Sequence, residues 1–150
     1  MLLPSDYKDL LKLLNKHRVR YLIVGAYAVI YYTEPRYSKD IDIWIEPEKE
    51  NAKKVFAALK EFGAPLQGIS AEDFTKKTHV YQIGVAPVRV DIIMGVGGLE
   101  FTTAWKYKVK AGLENIKVNI IGEEQLIQTK EKASRPSDLL DIEALKKRKK

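Results

Sequence analysis

The apolar residues of the chain recur at two spacings, and each spacing predicts a different secondary structure. Between residues 5 and 17 they fall at i, i+3, i+4 and i+7, which is typical of one face of an amphipathic helix, and Ser5 is placed to cap it. The same spacing between residues 52 and 59 predicts another helix, which Gly63 and Pro65 end. Two helices are therefore predicted in the first half of the chain.

Strict alternation of apolar and other residues predicts the strands. In the segment DIDIWI, residues 40 to 45, three isoleucines alternate with two aspartates and a tryptophan. Residues 78 to 84 and 88 to 94 are predicted to form two further strands joined by a turn. Upstream, a short apolar strand ends at Gly25 and leads into a segment that fits a buried helix.

The second half of the chain adds extended segments and then helices. Residues 99 to 122 contain two extended segments separated by Gly112. Residues 123 to 133 and 137 to 148 are predicted to form two helices, the second capped by Ser137. The order helix, strand, helix, strand, helix, strands, helices predicts an α/β or α+β fold, with a mixed β-sheet, flanking helices and a helical C-terminus.

Length and composition predict one domain and limit its chemistry. The 150 residues and the 45% hydrophobic content suit a single globular domain. Within it we expect a catalytic core (1–122), a C-terminal helical pair (123–148) and a basic tail (146–150). The absence of cysteine excludes disulfides, thiolate metal sites and cysteine nucleophiles, and two distant histidines do not favour a zinc centre. Any metal is expected to be hard and oxygen-bound, such as magnesium.

The charge and the hydropathy indicate a soluble, cytoplasmic protein with no membrane partner. No segment approaches the ~20 apolar residues of a membrane span, and the first residues lack the pattern of a signal peptide. Of the net charge of +6, the tail KKRKK at residues 146 to 150 supplies five charges. The tail permits binding to a nucleic acid, but a solvated terminus explains it as well.

The two aspartates of the DIDIWI segment raise a question of charge. Asp40 and Asp42 project from the same face of the predicted strand, roughly 6.6 Å apart. At an effective dielectric constant of ~20, two unit charges at this separation repel by about 2 to 3 kcal/mol. Water at a solvated strand edge would screen this repulsion, and a cation between the carboxylates would reverse it.

A third acid stands on the predicted strand at residues 88 to 94. Val88, Val90 and Ile92 share one face of it, so Asp91 projects from the other face, together with Arg89. A single acid in such a position usually has a structural role, in which it accepts hydrogen bonds at the end of a strand. Three acids on two strands that could be neighbours are a plausible site for divalent cations.

A small-residue turn precedes these acids. Gly25 closes the first strand and Ala26 begins a helix, so backbone N–H groups at the positive end of the helix dipole would suit a phosphate. For a single glycine, an ordinary turn from strand to helix is the better explanation. The order of turn, paired acids and third acid favours the phosphate interpretation.

These residues resemble the DNA polymerase beta-like nucleotidyltransferase superfamily. Its signature is an apolar residue and Gly followed by Gly or Ser, a spacer, and Asp-apolar-Asp/Glu-apolar; here LIVGA, thirteen intervening residues and DIDI match it. The closing segment LIQTKEKASRPSDLLDIEAL is similar to that of small prokaryotic members, among them the abortive-infection type IV toxins. Ala26 departs from the pattern, because alanine keeps the backbone N–H but offers no hydroxyl. This departure leaves the fold prediction unchanged and puts triphosphate affinity in question.

The resemblance implies a nucleotidyltransferase fold and a set of roles. Asp40 and Asp42 would hold two Mg²⁺ ions that bridge nucleotide phosphates, and Asp91 would complete one metal shell near the attacking hydroxyl. Asp91 or water would take the proton of that hydroxyl. Gly25 and Ala26 would hold the distal phosphates.

Further basic residues are candidates for nucleotide binding. Arg36 lies just before the paired acids and suits a phosphate, or it is a solvated loop arginine. Lys130 falls on an apolar helix face, from which it reaches either the triphosphate or water. Arg135, Asp138 and Asp141 are interpreted as a structural group, since an acid at a helix start complements the helix dipole.

Three functional hypotheses follow. The first is a magnesium-dependent enzyme that transfers a nucleoside monophosphate from a triphosphate to an acceptor hydroxyl, and the toxin resemblance suggests tRNA or a partner protein as acceptor. A small-molecule acceptor is a further option, although the chain is short. The alternative is a catalytically weak binding or regulatory member of a toxin–antitoxin-like pair. The third is a nucleic-acid binder that depends on its basic tail.

Overall fold

The computed structural model describes residues 4–33, 40–85 and 88–148. Six strands in these ranges form one mixed sheet with the order β3-β4-β2-β1-β6-β5. The strands are β1 (Tyr21–Val24), β2 (Asp40–Ile45), β3 (Val80–Val85), β4 (Val88–Ile93), β5 (Val109–Leu113) and β6 (Ile116–Ile120). The pairs β1–β6 and β2–β4 are parallel, and the pairs β1–β2, β3–β4 and β5–β6 are antiparallel.

Helices flank the sheet and close the described part of the chain. They are α1 (Ser5–Lys16), α2 (Gly25–Tyr32), α3 (Lys49–Phe62), α4 (Phe101–Lys106), α5 (Glu123–Ala133) and α6 (Pro136–Arg148), with a 3-10 helix at Ala71–Thr75. The predicted mixed sheet with flanking helices and a helical C-terminus is therefore confirmed. Among the described residues, none of the helices combines the length and the apolar character that a membrane-crossing segment requires.

The apolar periodicity locates the core. Tyr7, Leu10, Leu11 and Leu14 of α1 are fully buried, as the spacing predicts. The isoleucines of β2 are also fully buried. Helix α3 ends at Gly63, whose φ of +91° is the left-handed conformation that glycine adopts without a steric cost. Burial of these apolar side chains is the main favourable term that fixes the sheet between its helices.

Two of the predicted caps are wrong. Pro4 precedes α1 and Ser5 is its first helical residue, with no side-chain cap bond. Helix α6 begins at Pro136, whose missing N–H costs nothing at this position. The acceptor at this terminus is Asp138 rather than Ser137, because its carboxylate accepts the backbone N–H of Arg135 at 3.1 Å.

The region from 99 to 122 differs from the prediction in two ways. It contains the short helix α4, and six residues are too few to show a helical period. Gly112 lies inside β5, and the turn between β5 and β6 falls at Glu114 and Asn115, which both have positive φ. This pair of positive φ angles is the conformation of a type I′ hairpin turn.

Candidate active site

The register between two strands brings the predicted acids together. Strands β2 and β4 run parallel, with Asp42 opposite Asp91 and Asp40 opposite Arg89. Residues paired across neighbouring strands point to the same face of a sheet, so all four side chains share one face. We call Asp40, Asp42, Asp91 and Arg89 the acid face.

Arg89 bridges two of the three acids. Its Nη2 donates to Oδ2 of Asp40 at 2.8 Å and to Oδ2 of Asp91 at 3.3 Å. The alternation of β4 already placed Arg89 beside Asp91, but its contact with Asp40 depends on the pairing of strands that are distant in sequence. Sequence reasoning therefore missed Arg89 as a member of the site.

Asp42 and Asp91 are in direct contact, and the contact changes the acidity of Asp42. The pKa of Asp42 is raised from 3.8 to about 6, first by burial and then by the charge of Asp91, a hydrogen bond with Asp91 and the charge of Asp40, whereas Arg89 lowers it. At Asp42, burial and the neighbouring acids therefore outweigh the opposing charge of Arg89.

Gly25 lies against Asp42, and this contact explains why β1 is followed by a glycine. Its φ is +66°, and a Cβ atom at this position would collide with Oδ2 of Asp42. Residue 25 therefore has to be glycine for both the backbone conformation and the space. Ala26 follows as the second residue of α2 and is half-buried.

A cavity of about 390 Å³ opens between Asp42 and the C-terminal helices. The residues that line it include Gly25, Asp42, Lys130, Lys132, Arg135 and Asp138. One wall thus carries the carboxylate and the glycine turn, and the opposite wall carries three basic side chains. This division of charge suits a ligand that has phosphate groups and a bound cation.

The C-terminal basic residues are held by acids of α6. Lys130 is buried, and its Nζ lies 3.3 Å from Oδ1 of Asp138 and 3.0 Å from Oδ2 of Asp141. Arg135 donates through Nε to Oδ2 of Asp138 at 2.7 Å. Of the two alternatives for Lys130, the one in which its side chain reaches water is wrong, since that side chain is only 9% exposed. We call Lys130, Arg135, Asp138 and Asp141 the helix cluster.

Hydrogen bonding to Arg135 lowers the pKa of Asp138, and the neighbouring Lys130 lowers it further. The buried Asp138 is therefore an ionised side chain with its own cations, as the interpretation of a structural group expects. Arg36, the remaining predicted nucleotide-binding residue, lies outside the described residues.

The acid face fits a hard divalent cation through two of its carboxylates. Oδ1 of Asp91 is buried and has no hydrogen-bond partner in the described part of the chain, and its neighbour Asp42 has a raised pKa. Within residues 4–33, 40–85 and 88–148, however, no three acidic or histidine side chains form a ready-made metal site. Asp42 and Asp91 are thus the oxygen donors in place, while Asp40 is paired with Arg89.

Comparison of the fold with solved structures gives clear matches. The lincosamide antibiotic adenylyltransferase LnuA, in its lincomycin-bound structure, is 18% identical, and the match covers 97% of each chain with a TM-score of 0.63. An inferred nucleotidyltransferase from Thermotoga maritima is 17% identical over 95% of this chain and 93% of its own, with a TM-score of 0.62. The enzyme ANT(2'')-Ia in complex with adenylyl-2''-tobramycin is 14% identical over 95% of this chain and 84% of its own, with a TM-score of 0.59.

Comparison at the level of sequence gives no match. No protein-family model matches the chain, and no curated protein is significantly similar to it. The structural matches cover nearly the whole chain and include the sheet, the flanking helices and the C-terminal pair. The chain therefore has the nucleotidyltransferase fold.

Proposed function

We propose that the protein is a magnesium-dependent nucleotidyltransferase that moves a nucleoside monophosphate from a triphosphate to an acceptor hydroxyl. The observation that carries this proposal is the contact between the Asp42 and Asp91 carboxylates, with Asp42 against Gly25 and lining a cavity that Lys130, Lys132 and Arg135 also line. The fold supports it, because LnuA is an adenylyltransferase by name and ANT(2'')-Ia binds adenylyl-2''-tobramycin in its solved structure.

Asp42 and Asp91 would hold the metal, and Asp40 would join them in the two-ion arrangement that the resemblance implies. Magnesium bound there would stabilise both the entering and the leaving oxygen of an in-line displacement. A bond forms between the acceptor oxygen and the α-phosphorus, and the bond from that phosphorus to the bridging oxygen breaks. Pyrophosphate leaves with the electron pair, and the acceptor proton passes to Asp91 or to water.

The chain's other residues would bind the triphosphate. Because Gly25 has no side chain, the phosphates can approach the start of α2, where backbone N–H groups carry partial positive charge. Arg135 presents an exposed guanidinium whose direction is fixed by Asp138. Lys130 would act from within the helix cluster and attract the phosphates across the cavity.

The acceptor is the less constrained half of the reaction. The toxin resemblance favours tRNA or a partner protein, and a specific feature of the structure favours a small molecule as the second candidate. A further cavity of about 420 Å³ shares Val96 and Gly97 with the first. It is lined by, among others, Trp44, Met94, Phe101, Glu46 and Glu100.

The short length of the chain does not argue against a small acceptor. LnuA, which binds lincomycin, matches over 97% of both chains, so a chain of this size holds such a ligand. We therefore keep both acceptor classes, and the transfer assay below separates them.

The test of the proposed function is transfer of label. The protein is incubated with Mg²⁺ and each α-labelled nucleoside triphosphate, together with total tRNA, cell extract, or lincomycin and tobramycin as small-molecule probes. Label on an acceptor and release of pyrophosphate are expected for the wild type and not for Asp42→Asn. Glu50→Gln, the same chemical change at a side chain 71% exposed, is the matched control and should remain active.

A regulatory binding protein gives a different result. It would show nucleotide-dependent thermal stabilisation that does not require Mg²⁺ and does not change in Asp42→Asn, with no transfer to any acceptor. That outcome would replace the enzyme proposal with the toxin–antitoxin-like alternative.

A further inference from the structure

We propose that Arg89 is the internal counter-ion of the acid face, and that a divalent cation binds by displacing its guanidinium, so that Arg89 sets the metal affinity of the site. The proposal rests on the proposed function, because it concerns the same carboxylates. Arg89 is a positioning residue in this account: it decides when Asp40 and Asp91 become available.

The contacts of Arg89 are with oxygens that a cation would need. Its Nη2 lies 2.8 Å from Oδ2 of Asp40 and 3.3 Å from Oδ2 of Asp91. A divalent ion on the same two oxygens would face a unit positive charge at short range, and the two cations repel strongly in a partly buried site. Guanidinium and metal are therefore alternatives at these atoms.

The same contact explains why the acids do not form a ready-made metal site. Asp40 and Asp91 are held on either side of the guanidinium, while Asp42 is in contact with Asp91. In the described part of the chain, these acids do not converge as a group of three. Removal of the guanidinium from between them would let Asp40 approach the other two.

The backbone of Arg89 is fixed, so the exchange is confined to its side chain. The Tyr7 hydroxyl accepts the N–H of Arg89 at 3.1 Å and donates to its carbonyl oxygen at 2.9 Å. Tyr7 itself is completely buried in the core. Strand β4 therefore keeps its register when the guanidinium moves.

The side chain of Arg89 is held in a way that permits it to leave. It is 34% exposed, which gives the guanidinium a path to solvent. Its Nε is buried and has no hydrogen-bond partner among the residues that the structure describes, so a guanidinium that moves into water gains hydration there. Two hydrogen bonds from one nitrogen hold the group, and a metal ion compensates the acids in their place.

The experiment compares Arg89→Met with the wild type by calorimetric titration of Mg²⁺ and Mn²⁺ and by thermal unfolding in EDTA. Without the competing charge, the variant should bind the ions roughly tenfold more tightly or better. It should also unfold at a lower temperature in EDTA and recover most of the difference when Mg²⁺ is added. Arg89→Lys, which keeps the charge but loses the planar fork, should lie between them.

Arg20→Met is the matched control, because Arg20 is an exposed arginine that pairs with Glu46 away from the acid face. It should leave the metal affinity unchanged. Equal or weaker metal binding by Arg89→Met overturns the counter-ion proposal and leaves the enzyme proposal standing. Failure of every variant and of the wild type to bind a divalent ion overturns both.

A measurement on the wild type covers the case in which Arg89→Met does not fold. In protein with ¹⁵N-labelled arginine, the Nε–H signal of Arg89 is assigned by its loss in Arg89→Lys. Addition of Mg²⁺ should shift this signal toward that of a solvated guanidinium, whereas NaCl of equal ionic strength should not. A signal that stays unchanged when Mg²⁺ saturates the protein would show that Arg89 does not move.

Discussion

The acid face and the helix cluster both place aspartates in or near the protein interior, and they treat the resulting charge in opposite ways. In the helix cluster, Asp138 and Asp141 face two cations, Lys130 and Arg135. On the acid face, the guanidinium of Arg89 contacts Asp40 and Asp91, and Asp42 lies against Asp91. In the first group each acid contacts a cation, whereas in the second the buried Asp42 contacts another acid.

The pKa values of Asp138 and Asp42 shift in opposite directions. Arg135 lowers the pKa of Asp138, whereas burial and Asp91 raise the pKa of Asp42 to about 6. A buried acid with its own cations contributes to the packing of two helices. A buried acid that lacks them is costly to the folded chain, and this cost is reduced when a cation binds. An excess of buried negative charge thus indicates a binding site more reliably than the mere presence of acids.

The two groups also face one another. Asp42 of the acid face and Lys130, Arg135 and Asp138 of the helix cluster line the cavity of about 390 Å³. Asp138 raises the pKa of Arg135, and the charge of Asp42 adds to this effect. The excess negative charge on the sheet and the exposed guanidinium on the helices therefore act on the same space. A metal–triphosphate complex, which has a positive centre and negative oxygens, would satisfy both walls.

The largest expected effect comes from neutralising the acid face. Asp42→Asn should lower nucleotidyl transfer by about a thousandfold or more, because a metal ligand and its charge are lost. Its stability in EDTA should not fall, since the substitution removes a repulsion. Steady-state transfer and urea unfolding measure the two quantities. A marked loss of stability with retained activity would reverse the roles that we assign to the two groups.

The corresponding change in the helix cluster should act on stability. Asp138 is 1% exposed, so Asp138→Ala leaves Lys130 buried with one fewer partner. We expect the free energy of unfolding to fall by about 3 kcal/mol, as for a broken buried ion pair. Urea unfolding of this variant beside Asp42→Asn tests the comparison directly. Equal stability of the two variants would show that both acids have the same structural role.

Asp42 and Asp138 should contribute with opposite signs to the pH dependence of the free energy of unfolding. The pKa of Asp42 rises from 3.8 to about 6 on folding, so the folded state holds this proton more tightly than the unfolded chain. The free energy of unfolding therefore loses up to about 3 kcal/mol as pH rises through this range. Unfolding in EDTA from pH 4 to 7 should show this component in the wild type and not in Asp42→Asn.

Asp138 should contribute with the opposite sign. Because its pKa is lowered on folding, its contribution to stability is present above the ordinary pKa of 3.8 and is lost as pH falls below it. Asp138→Asn should therefore flatten the stability curve on the acid side and leave the change between pH 4 and 6 in place. The same direction of change for both variants would contradict the comparison.

The smallest effect concerns the glycine turn. Gly25→Ala places a methyl group against Asp42 at a positive φ, whereas Gly68→Ala meets only a positive φ, with no atom within 4 Å. Both variants share the conformational strain, and only Gly25→Ala adds the clash with Asp42. Gly25→Ala should therefore be less stable than Gly68→Ala by about 1 to 2 kcal/mol. Thermal unfolding and Mg²⁺ titration measure the difference. Identical behaviour would mean that Asp42 does not lie against Gly25.

The alternation along β2 and β4 was enough to predict the direction of each acid within its own strand. Asp40 and Asp42 are two apart, and Asp91 stands opposite the buried face of its own strand, so local geometry fixed their directions. The fold class followed in the same way from the order of periodic segments. Helix α4 was missed because it is a single short element with no visible period.

What the sequence could not predict depends on contacts between distant segments. The role of Arg89 depends on the register of β2 against β4. This register pairs Arg89 with Asp40, which lies 49 residues away in the sequence. The burial of Lys130 requires the turn that brings α6 back onto α5. Neither pairing leaves a local pattern, and both decide how the charge is compensated.

The most direct test of the central claim is titration of Mg²⁺, in the presence of a non-hydrolysable nucleoside triphosphate, into the wild type, Asp42→Asn and Asp91→Asn. The account predicts saturable Mg²⁺ binding to the wild type and a loss of at least about tenfold in affinity for each variant. Equal affinities in all three proteins would contradict the assignment of Asp42 and Asp91 as the metal-holding pair.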